Sequence, residues 1–172
     1  MNKKLLSILL ASSMAAGMAV PVMAEEAAEE GKVLNIYCWN EEFKSRLTDH
    51  YPGYEEVDGT TGTIGDVTVK WNITPSDDNA YQNNLDESLL RQADAAADDK
   101  IDLFLIEADY ALKYIDTEYT MNIADLGITE EDTAEQFGYT KDIVTDSNGN
   151  LKGLSWQGCP GSRLLWITCK PS

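Results

Sequence analysis

The sequence predicts an α/β fold with an open, mostly parallel sheet and flanking helices. Three observations predict it. Two short segments are almost continuously apolar and β-prone, at Val33–Trp39 and Ile101–Ile106. A third, Asp66–Ile73, alternates apolar and polar residues. Stretches with helical spacing separate them, giving the order strand, helix, strand, helix, strand. That order builds a layer through right-handed crossovers.

Each element follows from its residues. Val33-Leu34-Asn35-Ile36-Tyr37-Cys38-Trp39 suits a parallel strand covered on both faces. Glu41 to His50 reads as a helix, with Phe43 and Leu47 one turn apart, ended by Pro52-Gly53. Residues 53–65, rich in Gly, Thr and acid, read as a surface loop. In the second strand Val67, Val69, Trp71 and Ile73 share a face. Thr74-Pro75-Ser76-Asp77 starts a helix that the stripe Tyr81, Leu85, Leu89, Gln92-Ala93 and Ala96 carries to about Ala97. The third strand follows Asp98-Asp99-Lys100, and a short helix is expected from Asp109 to Ile115. Residues 123–137 read as a loop and then a helix opened by the capping-box-like Thr129-Glu130-Glu131-Asp132. Asn148-Gly149 between β-prone runs predicts a hairpin. A calcium loop fits less well, because Leu151 replaces the required glycine and the bidentate glutamate is absent.

Length and charge narrow the function. The chain has 172 residues, with 13 basic and 30 acidic side chains and a net charge of −17. A surface this acidic disfavours nucleic acid and anionic lipid as partners. One histidine, His50, argues against a histidine-rich metal site or a Ser-His-Asp enzyme. Asn2-Lys3-Lys4, the apolar run Leu5–Val20 and Pro21-Val22-Met23-Ala24 form the three parts of a secretory signal, with cleavage expected after Ala24. Removing its two lysines takes the charge from −17 to −19. Residues 25–31 then form a flexible acidic leader, and the product is exported, extracellular or in the cell envelope. Cys38, Cys159 and Cys169 lack a CxxC spacing. A Cys38–Cys159 bridge and two buried free thiols both remain open.

Ligands of open α/β sheets bind outside the carboxyl ends of the parallel strands. Those ends carry Trp39-Asn40-Glu41-Glu42 and Glu107-Ala108-Asp109-Tyr110. Asp78-Asn79 leads into the long helix, and Ser155-Trp156-Gln157 follows the hairpin. Aromatic rings pack on the C–H face of a pyranose, while amides and carboxylates pair with its hydroxyls. The candidate ligand-binding residues are therefore Trp39, Asn40, Glu41, Asn79, Glu107, Asp109, Trp156 and Gln157. Structural roles compete at each position. Trp39 and Trp156 also suit a core. Asn40, Glu41, Glu107 and Asp109 also suit helix starts, and Asn79 suits a solvated helix surface.

Lys32-Val33-Leu34-Asn35-Ile36-Tyr37-Cys38-Trp39-Asn40-Glu41-Glu42-Phe43 follows the signal; Asp102-Leu103-Phe104, the Asn-Gly hairpin and Gly153-Leu154-Ser155-Trp156-Gln157-Gly158 come later. In this order and spacing, residues 1 to about 162 resemble the N-terminal part of an extracellular solute-binding protein of a carbohydrate ABC importer. The resemblance implies the first lobe of a two-lobed periplasmic-binding-protein fold that closes on a sugar and delivers it to a membrane permease. It implies a monomer that binds a sugar or oligosaccharide, uses no cofactor or metal and performs no catalysis. Trp39, Asn40, Glu41, Glu107 and Asp109 would line the cleft, with Trp156 and Gln157 where the chain crosses toward a second lobe. Residues 32–162 would form a partial lobe. Residues 163–172 lack the family pattern and read as an aberrant tail of a truncated or frame-shifted chain. Two other functions fit less of the pattern. One is a secreted glycoside hydrolase with a carboxylate pair such as Glu41 and Glu107, a chemistry that needs its two carboxyls about 5–9.5 Å apart. The other is a surface interaction domain without a small ligand.

Overall fold

The strand at Val33–Cys38 (β1) buries Ile36 and Cys38 completely and becomes the middle of the sheet, as its nearly continuous apolar run requires. The computed structural model describes residues 31–158 and the backbone of 163–167. The expected signal (1–24), Cys159 and Cys169 lie outside the described residues, as does all of the acidic leader but Gly31. Helix α1 (Glu42–His50) follows β1, then strands β2 (Tyr54–Asp58), β3 (Thr61–Ile64) and β4 (Val67–Ile73). A 3-10 turn at Asp77–Asn79 leads into α2 (Ala80–Leu90), and β5 (Leu103–Glu107) precedes the short α3 (Leu112–Ile115). A 3-10 turn at Ile123–Leu126, α4 (Gly138–Asp142), β6 (Gly153–Ser155) and β7 (Arg163–Ile167) complete the order. Among the described residues, no helix is long and apolar enough to cross a membrane.

Among the described residues, seven strands lie in the order β2-β3-β4-β1-β5-β7-β6. β1 pairs in parallel with β4, from Val33 opposite Thr68 to Cys38 opposite Ile73, and with β5 at Ile36–Leu103 and Tyr37–Phe104. All other neighbours are antiparallel. The α/β layer expected from the sequence is present, but the sheet is mixed, not mostly parallel. Two segments cause the difference. Residues 53–65, read as a loop, form the β2–β3 hairpin, because Thr61, Thr63 and Ile64 are β-branched and find a partner in the edge of β4. Residues 163–167, set apart as a tail, form β7 between β5 and β6.

Local bonds fix the central strands. The buried Asn35 side chain donates from Nδ2 to the carbonyls of Asp98 and Lys100, each at 2.9 Å. Its backbone N–H donates to Asp102 Oδ2 at 2.8 Å, tying the approach to β5 onto the start of β1. On the hairpin side, Lys44 Nζ donates to the Gly59 carbonyl at 2.6 Å and pairs with Glu56 at 3.4 Å. Tyr81, Leu85 and Leu89 of α2 are buried, as their four-residue spacing predicts.

Helical extents differ from expectation where apolar surface runs out. α2 stops at Leu90, not Ala97; beyond it, Gln92 bonds both ways with the backbone of Ile101, at 2.8 and 2.9 Å. Thr129 and Asp132 bond reciprocally as a cap should, yet only turns follow through residue 135. Glu130-Glu131-Asp132-Thr133-Ala134-Glu135 offers no apolar face to hold a helix. The Asn148-Gly149 turn forms, with Gly149 at φ +85° and a bridge between Thr145 and Leu151. Asp146 Oδ1 accepts from the N–H groups of Asn148 and Asn150, so this carboxylate organises the loop's own backbone.

Candidate functional site

The connections create a switch point. From β1 the chain passes through α1 and the hairpin to β4 on one side, then through α2 to β5 on the other. Connections that leave a strand in opposite directions open a crevice at its carboxyl end. Asn40-Glu41 lie just past the carboxyl end of β1, and Glu107-Ala108-Asp109 at that of β5. β6 and β5 both run antiparallel to β7, so β6 points the same way as β5. Its carboxyl end therefore brings Trp156 and Gln157 to the same rim.

Contacts unite part of the candidate set. Gln157 Nε2 donates to Glu42 Oε1 at 2.7 Å, and Ser155 Oγ donates to the Gln157 carbonyl at 2.6 Å. Trp156 meets Phe43 edge-on, with centroids 5.5 Å apart, and Phe43 in turn meets Trp71 at 6.3 Å. Trp156 and Gln157 are thus docked on the first turn of α1. The Trp156 indole N–H is buried without a hydrogen-bond partner.

Trp39 departs from the rim role. It is 7% exposed and meets Tyr81 edge-on at 5.5 Å. Its ring belongs to the core, where a large aromatic surface gains most from burial. Tyr81 is itself 1% exposed, and its hydroxyl lies 2.6 Å from the Leu105 carbonyl and 3.1 Å from that of Tyr37. The direct β1–β5 pairing ends at Tyr37 and Phe104, so this phenol spans the gap where the strands part. Burial pushes its pKa well above the ordinary tyrosine range. Cys38 is a buried free thiol, pushed up to about 12 chiefly by desolvation.

The remaining candidates lie at strand and helix ends outside the contacts just described. Asn40 is exposed, and its Oδ1 accepts from the Glu42 N–H at 3.0 Å, which starts α1. Glu41 is exposed beside it, Glu107 is half-buried at the end of β5, and Asp109 is exposed in the following turn. Asn79 is not within a regular helix surface. It is the N-cap of α2 at φ +61°, next to Asp78 at φ +51°, and makes no side-chain cap bond. Two consecutive left-handed residues without glycine are strained backbone. Among the described residues, no group of three or more His, Cys, Asp or Glu side chains could hold a metal ion.

A cleft of about 170 Å³ lies beside Trp156, lined by Gln136, Phe137, Thr140, Ser155, Gln157 and Gly158 in addition to the indole. Sequence reasoning missed Gln136, Phe137 and Thr140. Their signal was faint, a Phe-Gly-Tyr run after an acidic stretch. In comparisons with known proteins, no family model, no curated protein and no solved structure matches the chain.

Proposed function

We propose that this chain is the sugar-binding part of an extracytoplasmic receptor that captures a carbohydrate and passes it to an ABC permease. The arrival of Trp156 and Gln157 at the rim of the parallel strands carries the reading. An indole, a side-chain amide and the carboxylates of Glu41, Glu42, Glu107 and Asp109 then share one end of the sheet. Their chemistry suits a neutral, hydroxyl-rich ligand. The acidic rim would repel phosphorylated or carboxylated ones. Binding would act by population shift, favouring a closed state of the receptor through contacts made only there. No bond of the ligand changes in this mechanism. The receptor works as a monomer outside the cytoplasmic membrane.

Isothermal calorimetry of the purified chain with malto-, cello- and xylo-oligosaccharides tests the reading. Saturable binding without hydrolysis, weakened at least tenfold by Trp156→Ala in a variant that keeps its circular dichroism, is the expected outcome. Binding confined to peptides or amines, or glycoside turnover, overturns it.

A further inference from the structure

We infer that Phe137 and Gln136 form an aromatic subsite with Trp156, taking one pyranose ring of an uncharged oligosaccharide; this inference rests on the sugar-binding reading above. Phe137 is 61% exposed although it is large and apolar. Its ring is held in place on two sides. Tyr139 stacks on it with an interplanar angle of 16° and centroids 5.8 Å apart. Gly158 lies against its edge, so close that an added Cβ would stand 3.2 Å from Cε2. A supported, exposed ring with fixed orientation is a stacking platform, because little side-chain freedom is lost when a flat apolar face settles on it.

The polar groups beside the platform complete the argument. Trp156 Nε1 is a buried donor without a partner, and Gln136 Oε1 is a buried acceptor without one. Both residues line the same cleft. Native structures rarely leave such atoms unmatched, and each one asks for an explanation. A sugar hydroxyl both donates and accepts, so the hydroxyls of one ring match both atoms in kind. The terminal torsion of a glutamine is soft, which lets Oε1 turn to the cleft lip as a ligand enters. An anion has no cation to meet among these residues. A cationic peptide would need a carboxylate in the cleft, and its lining residues carry none.

Calorimetry with maltotriose, cellotriose and xylotriose on wild type, Phe137→Ala, Phe137→Tyr and Gln136→Leu tests the subsite. Phe137 is exposed, so its replacement leaves the fold intact. The expected result is at least tenfold weaker trisaccharide binding in Phe137→Ala, recovery to within threefold in Phe137→Tyr, and several-fold loss in Gln136→Leu. Unchanged affinity in Phe137→Ala alongside wild-type sugar binding overturns the subsite and leaves the sugar-receptor reading standing. Absence of any trisaccharide binding to wild type overturns both, as does binding of a lysine-rich peptide instead.

Discussion

Asp102 sits where burial and bonding disagree. Desolvation raises its carboxyl to about 6, against the lowering effect of the Asn35 N–H, and the nearby Asp98 charge adds to the rise. The folded protein therefore holds this proton more tightly than the unfolded chain, whose aspartates titrate near the ordinary value of 3.8. Its contribution to stability is full below about pH 4, falls as pH rises through about 6, and stays lost above that. Asp102→Asn keeps an acceptor for the Asn35 N–H and removes the charge. Urea unfolding is expected to show the variant more stable than wild type at pH 7 by roughly 1 kcal/mol, a value reduced for solvent screening. The difference should vanish at pH 4. Equal stabilities at both pH values would refute the account. Nothing in the linear order of residues announces this pairing, because Asn35 and Asp102 meet only after the chain has crossed between strands.

The β2–β3 hairpin shows how an element can depend on one small residue. Gly62 is buried in β3, and a Cβ there would overlap the ring and hydroxyl of Tyr54. That hydroxyl accepts from Trp71 Nε1 at 3.1 Å, so the glycine makes room for a bond between β2 and β4 across β3. Gly62→Ala is expected to lower stability by roughly 1–3 kcal/mol, the range for overpacking. Chemical unfolding followed by tryptophan fluorescence measures it. Adding Tyr54→Val should restore part of the loss, since the two positions share one space; strictly additive losses would contradict this. The hairpin was hidden in the sequence because its Gly, Thr and acid content matches a loop equally well, and only the open edge of β4 decides. By contrast, β1, α1, β4 and β5 were legible to within about two residues, since their patterns report burial directly. Trp156 and Gln157 were placed after a strand by the apolar run before them, but their partners Phe43 and Glu42 on α1 were not legible. Trp39 was not, because adjacency to a strand end does not say which way an indole turns, and Tyr81 offered it a partner in the core. Phe137 lay at the end of a segment read as a loop and then a helix, so nothing set it apart as a cleft residue.

For the molecule as a whole, the α/β class followed from alternation of periods, whereas the direction of the outer strands did not. Parallel pairing holds only β4, β1 and β5 together, and antiparallel neighbours extend the sheet on either side. Such an arrangement has an inside and an outside along its width. β1 lends hydrogen bonds to strands on both flanks and buries Ile36 and Cys38 fully, while β2 is exposed at four of its five positions. Deuterium uptake should accordingly be graded: fastest at Glu55–Asp58, slower through β3, and slowest at Asn35–Cys38 and their β4 partners. Uniform uptake across β1 and β2 would show that the sheet opens as one unit. With the gradient, the protein frays like woven cloth from its selvedge. Brief thermal excursions would then loosen the hairpin while the carboxyl end of β1 keeps its shape.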